Sequence, residues 1–130
     1  VCEHHGLIQT PRIDLPSRLH LLHTEFQQLL ETLKPDVVAT ERLIFAANKT
    51  TALDVSKALG VVLQTVGERN LVWKEFLPSE IKLGVVGNGA ADKRQVEFMV
   101  VKLLGFEKPP KPDDITDALA IAICAALRPR

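Results

Sequence analysis

Asp114 and Asp117 stand three residues apart in the stretch DDITDALAIAICAAL that ends at Leu127. If that stretch is a helix, the two side chains share one face, separated by roughly 60° of arc, and both reach one ion. The first turn also carries positive potential, which keeps carboxylates ionised as hard oxygen ligands at neutral pH. The same pair serves equally as plain helix caps, because acids are favoured at helix starts whatever their task. Glu41 shifts the balance. It follows Val37-Val38-Ala39, a short apolar run between Asp36 and Thr40 of the kind that forms a buried parallel strand. An acid there falls at the carboxyl end of a sheet, where α/β folds place their sites. Three such acids with no accompanying cysteine or histidine set favour Mg²⁺ or Mn²⁺ over zinc. Two such ions about 4 Å apart activate a water and stabilise the leaving oxygen in phosphodiester cleavage.

The elements that must position these acids follow from hydrophobic spacing. Val1 to Thr10 reads as a strand around Gly6-Leu7-Ile8 that stops at Pro11. Asp14 caps an amphipathic helix whose apolar positions Leu19, Leu22, Phe26, Leu29, Leu30 and Leu33 run up to Pro35. A second helix spans about Thr50 to Glu68, capped by Thr50 or Thr51. Gly60 inside it costs about 1 kcal/mol against alanine, which points to a close helix contact. Leu71 to Phe76 alternates as a strand, with Trp73 expected in the core rather than as a platform for a nucleobase. Pro78-Ser79-Glu80 opens a short helix ending near Gly84, and Asp92 to Leu104 forms another. Lys108-Pro109-Pro110-Lys111-Pro112 is a stiff connector to the last helix, Asp114 to Leu127, which is apolar nearly all round and so belongs against a sheet. Strands alternating with helices give an α/β class.

Composition sets the outer bounds. A chain of 130 residues with 46% hydrophobic content fits one domain, 1–130, built around one core. No apolar run approaches the roughly 20 residues of a membrane span, and the amino terminus lacks the features of a secretory signal, so the expectation is a soluble, cytoplasmic protein. Cys2 and Cys124 make no metal-type spacing and read as reduced, packed thiols. Sixteen basic residues balance sixteen acidic ones, so affinity for a polyanion has to come from local clustering. Lys93-Arg94 is one such cluster, or a solvated helix face. Gly87-Asn88-Gly89 either lets backbone amides approach a phosphate or simply makes a tight turn. His20 and His23 lack a third ligand nearby and read as solvated helix residues, while His4 and His5 would point to opposite faces of a strand.

Several segments together resemble the RuvC-type Holliday-junction resolvases. Asp36-Val37-Val38-Ala39-Thr40-Glu41 followed by Phe45-Ala46-Ala47-Asn48 is similar to that family's glutamate strand and following loop. Lys82 to Val96, KLGVVGNGAADKRQV, resembles its lysine, glycine-turn and helix segment, and Asp113 to Ile123, DDITDALAIAI, its carboxy-terminal acidic helix. Asp14-Leu15-Pro16-Ser17-Arg18-Leu19 resembles the start of its first helix, so the similarity spans nearly the whole chain in the right order.

The resemblance implies a ribonuclease-H-like fold, a mixed sheet flanked by helices, acting as a homodimer on four-way junction DNA beside a branch-migration helicase complex. It implies that Glu41, Asp114 and Asp117 are three of four acidic ligands to Mg²⁺, with Mn²⁺ as the alternative. Lys82 would stabilise charge at the cleaved phosphate, and Lys93 and Arg94 would meet the DNA backbone. Ile44 or Phe45 would line the junction centre, where the family places an aromatic residue. The helix holding Gly60 resembles the family's dimer helix, although Leu59 stands where an arginine is usual. The family also opens with a strand reading glycine, isoleucine, aspartate, proline, glycine, which the sequence does not contain. The fold is therefore expected to be incomplete at its amino-terminal side, lacking a strand and the fourth carboxylate, as a fragment would be, and the longer parent is expected to cut junctions where this chain alone does not. Two alternatives stand beside the active nuclease: a catalytically incomplete relative that only dimerises and binds branched DNA, and an unrelated small α/β domain whose caps imitate ligands.

Overall fold

The computed structural model describes residues 1–43 and 49–127, with backbone alone for residues 49–52. Among the described residues seven elements follow in the order α1 (Leu15–Leu33), β1 (Val37–Glu41), α2 (Lys49–Glu68), β2 (Val72–Phe76), α3 (Pro78–Val86), α4 (Lys93–Leu104) and α5 (Asp113–Leu127). β1 and β2 pair in a two-stranded parallel sheet. The chain divides into two compact units, one of residues 1–7, 39–42 and 74–130, the other of residues 8–38 and 43–73.

The first unit holds a core of Phe76, Ile81, Val85, Val100, Ile115, Leu119, Ala120 and Cys124, drawn from the end of β2 and from α3, α4 and α5. Each helix is set by local chemistry. α3 starts at Pro78, and Glu80 accepts a hydrogen bond from the Leu77 amide at 2.9 Å, which closes its amino end. It ends at Gly87, whose φ of 88° is the left-handed cap a glycine takes without strain. Asp92 caps α4 by accepting from the Gln95 amide at 2.9 Å, and the Gln95 side-chain oxygen accepts in turn from the Asp92 amide at 2.8 Å. α5 is the centre of the unit, with Ile115, Thr116, Leu119, Ala120 and Cys124 all buried. Its nearly uninterrupted apolar composition is explained by that burial.

α3 and α5 approach closely at Gly84, where a Cβ would lie 2.9 Å from Cys124 Sγ. Gly84→Ala is therefore expected to destabilise the protein by about 1–2 kcal/mol, overpacking outweighing the gain in helix propensity. Adding Cys124→Ala should recover most of the loss, because the remaining neighbours, Cys124 Cβ and Cα, lie at 3.6 and 3.8 Å. Urea denaturation of the two single variants and the double variant checks this; purely additive losses would contradict it.

The second unit is built on α1 against α2, with Leu30, Thr65 and Val66 buried. Asp14 caps α1, accepting from the Ser17 hydroxyl at 2.8 Å and from its amide at 3.2 Å, and these bonds hold the Asp14 carboxyl below its ordinary pKa. His23 Nδ1 lies 2.9 Å from the hydroxyl of Thr65, which is fully buried, so this histidine joins the two helices rather than standing solvated; His20 is exposed.

Three further expectations change. Residues 1–10 form no strand, because β-compatible residue types become a strand only where a neighbouring backbone supplies a ladder. His5 instead meets Phe106 edge-on, with ring centroids 5.6 Å apart. Trp73 is 41% exposed, since strand alternation sets it with Glu75 on the face opposite the buried Phe76. A Cβ at Gly60 would meet nothing within 4 Å, so the close contact expected there lies at Gly84 instead. Both cysteines are free thiols as expected, Cys124 fully buried.

Candidate active site

The chemistry-bearing residues gather within the first unit. β1 is short and ends at Glu41, and the Arg42 amide donates to Phe76 O at 2.8 Å immediately after it, which pins the carboxyl end of the strand. α5 contributes Asp117 one turn into its length, α3 contributes Lys82, and α4 contributes Lys93 as its first residue. These four polar side chains line one cavity of about 300 Å³ whose apolar floor includes Ile81, Val96, Ala120 and Ile121.

The electrostatics are those of a site that gains from a cation. Partial burial pushes the Glu41 carboxyl above its ordinary value, the charge of Asp117 adds to the shift, and Lys82 opposes it. Asp117 is raised in the same way by burial, against the pull of Lys93 and with Asp113 and Asp114 adding repulsion. Lys93 Nζ sits 2.6 Å from Asp113 Oδ2 and 3.7 Å from Asp117 Oδ2. The hydrogen bond to Asp113 lifts the lysine's pKa, and Asp113 is lowered in turn.

The raised carboxyls carry a stability consequence. An acid whose folded pKa lies above its unfolded value destabilises the fold when ionised, and that penalty disappears below the ordinary values of 4.5 for Glu41 and 3.8 for Asp117. Without divalent metal, Glu41→Gln and Asp117→Asn are thus expected to raise stability at neutral pH, by less than about 1 kcal/mol each because both groups touch solvent. The gain should shrink as pH falls through the raised values. Melting temperatures of variant and parent from pH 7 downward check it; a gain that grows on acidification would be the wrong sign.

The candidates fall into three groups. Glu41, Asp117, Lys82 and Lys93 share the cavity. Asp114 stands one turn before Asp117, exposed, outside the cavity lining, though its charge reaches both Asp117 and Lys93. Arg94 points to two adjoining surface cavities, one with Lys111 and Asp113, the other with Phe98 and Met99. Ile44 and Phe45 lie outside the described residues. Among the described residues no three of His, Cys, Asp and Glu are gathered as a ready-made metal cage. The donor set nevertheless fits a hard cation, because Mg²⁺ is commonly held by one or two carboxylates with the remaining positions left to water and substrate phosphate. The Lys93–Asp113 contact is the feature that residue spacing did not disclose; its signal was the doubled acid Asp113-Asp114, both at helix-start positions, only one of which is needed as a cap.

In the glycine turn, Asn88 Oδ1 accepts from the Ala90 amide at 2.9 Å and the Asn88 carbonyl accepts from the Ala91 amide at 3.1 Å. Those amides serve the turn itself, which favours the turn reading over a phosphate cradle.

Comparison with known proteins gives a consistent picture. A family model described as "Crossover junction endodeoxyribonuclease RuvC" matches residues 1–125. The protein of that name from Syntrophomonas wolfei is 43% identical over 121 residues, covering 92% of this chain and 70% of its own length. The one from Thermomicrobium roseum is 47% identical over 120 residues, covering 92% and 74%. Among solved structures, Thermus thermophilus RuvC superposes with a TM-score of 0.84 at 30% identity, covering 93% of this chain and 73% of that one. T. thermophilus RuvC in complex with Holliday junction substrate gives 0.84 at 31%, covering 92% and 72%. The likeness to these structures carries the ribonuclease-H-like α/β fold.

Proposed function

Because this chain belongs to the crossover junction endodeoxyribonuclease RuvC family, we propose that it cuts four-way junction DNA with Glu41, Asp114 and Asp117 as the oxygen ligands of a divalent cation. The observation that carries this reading is the meeting of Glu41 and Asp117, from the end of β1 and the start of α5, in one cavity with Lys82 and Lys93. The family is one of metal-dependent nucleases, and the all-oxygen donor set favours Mg²⁺, with Mn²⁺ as a substitute. When bound, the ion supplies an activated water and stabilises the leaving oxygen.

The chain's own residues do the rest. Glu41 and Asp117 present partly buried carboxylates whose mutual repulsion a cation would relieve. Asp114, one turn along α5, is the third oxygen donor of this proposal. Lys82 places a positive charge opposite Glu41, where it meets a phosphate entering the cavity and stabilises negative charge that grows during cleavage. Lys93 and Arg94 hold the flanking backbone, as positioning contacts that carry no sequence information. Ile44 and Phe45 follow Glu41 closely in the sequence and are proposed to line the junction centre.

α2 leaves Leu53 and Val55 about half exposed, at 53% and 45%, and offers open space at Gly60. These support a homodimer formed through that helix, which would place two sites symmetrically on a four-way junction. A single nuclease domain, a cytoplasmic setting and a branch-migration helicase complex as partner belong to the same reading and rest on family membership; no helix among the described residues is long and apolar enough to cross a membrane. The test is cleavage of a labelled synthetic four-way junction with Mg²⁺, beside a linear duplex of the same sequence. Symmetric nicking of the junction, abolished by chelation, is expected. Equal attack on linear duplex, or cleavage that persists in chelator, would overturn the proposal.

A further inference from the structure

Lys93 has two acidic neighbours, and its distances to them are unequal. Its ammonium lies 2.6 Å from Asp113 Oδ2 and 3.7 Å from Asp117 Oδ2. The lysine also stands on a border, lining both the cavity of Glu41, Lys82 and Asp117 and the adjoining surface cavity of Arg94, Glu97, Lys111, Pro112 and Asp113. Lysine is a flexible four-carbon stem with a compact charge and three donors, so it settles on whichever carboxylate is best placed. An ammonium seated on Asp117 would occupy the same oxygens that a divalent ion needs and would present the same sign of charge. Lys93 pairs with both acids, and Asp113 is the closer acceptor, at the rim.

We propose that Asp113 is a positioning residue that draws the Lys93 ammonium toward the cavity rim, loosens its pairing with Asp117, and so eases the entry of a divalent cation at Asp117. Two structural facts make this a built arrangement rather than a chance surface pair. Asp113 is the first residue of α5 and Lys93 the first residue of α4, so both ends of the contact start from fixed helix termini. Asp117 lies on the same helix as Asp113, a little more than one turn further, so the two acceptors compete for the same lysine from one rigid element. The inference rests on the reading of Asp117 as a metal carboxylate.

The experiment is a Mn²⁺ titration of the whole chain without DNA, followed by calorimetry and by the electron paramagnetic resonance of free Mn²⁺. Asp113→Asn is expected to weaken Mn²⁺ binding on the order of fivefold, because the released Lys93 turns to Asp117 and its charge opposes the ion. Asp113→Glu should retain most of the affinity. Lys93→Met combined with Asp113→Asn should restore binding, since the competitor is gone. That reversal separates positioning from ligation: if the double variant stays as weak as Asp113→Asn, Asp113 is itself a ligand and the proposal fails. Unchanged affinity in Asp113→Asn would also overturn it. Asp117→Asn is the control for the underlying reading. Loss of binding there with none in Asp113→Asn would refute the positioning role alone, whereas full binding in Asp117→Asn would refute both.

Discussion

Glu41→Gln and Asp117→Asn should each lower the rate of junction cleavage by at least about a thousandfold, while junction affinity stays nearly unchanged. A bound divalent ion contributes several kcal/mol of transition-state stabilisation, and each 1.4 kcal/mol or so is a factor of ten in rate. The amide variants keep the shape of the side chain and remove the charge proposed to hold the ion. They should leave binding alone because junction affinity arises from contacts to many phosphates, which neither acid makes. The same substitutions are expected to stabilise the metal-free protein, because both carboxyls sit above their ordinary pKa values through partial burial. Lost activity with gained stability in one variant is a signature that damage to the fold cannot produce. Single-turnover rates and gel-shift affinities on one junction, beside melting temperatures, check it. A parallel fall in rate and melting temperature would assign these acids a structural role.

Lys82→Ala carries the second large effect. Lys82 lines the cavity with Glu41 and Asp117 and lowers the pKa of Glu41 by its charge. A preorganised cation aimed at developing phosphate charge typically contributes two to three orders of magnitude in rate, and a drop of about 10²–10³-fold is expected. Its effect on binding should be small, amounting to roughly one phosphate contact in the salt dependence of affinity. Arg94 provides the contrast. It lines surface cavities away from Glu41 and Asp117, so Arg94→Ala should weaken binding and its salt dependence with little change in the rate of the bound complex. If Lys82→Ala instead behaved like Arg94→Ala, Lys82 would be a docking contact and the charge-stabilising role would have to go elsewhere.

Much of the site was readable because its elements have strong local signals. The run Val37-Val38-Ala39 is too short for a helix, and the strand it forms ends at Glu41. The apolar composition after Asp114 gave a buried helix, and burial of that helix is what carries Asp117 to the cavity. The Asp14 cap was equally legible, whereas the capping roles of Asp92 and Gly87 emerge only in the structure. What the pattern missed depends on neighbours in space. Val1 to Thr10 has strand-like residues and no ladder, and Trp73 has a core-type side chain on the outward face of β2. His23 looked solvated because its partner, the buried Thr65, is far along the chain and on another helix. For the same reason the spacing of Lys93 and Asp113 could not announce their contact, and the two acids Asp114 and Asp117, though on one helix, are placed differently relative to the cavity.

The central claim is that Glu41 and Asp117 share a divalent ion, and the most direct measurement of it is anomalous diffraction from crystals of this chain grown with Mn²⁺. The expected result is a manganese peak within about 2.2 Å of a carboxylate oxygen of each residue, with Lys93 still on Asp113 and the peak lost in Asp117→Asn. Manganese bound elsewhere on the chain, or no peak in this cavity at saturating Mn²⁺, would contradict it.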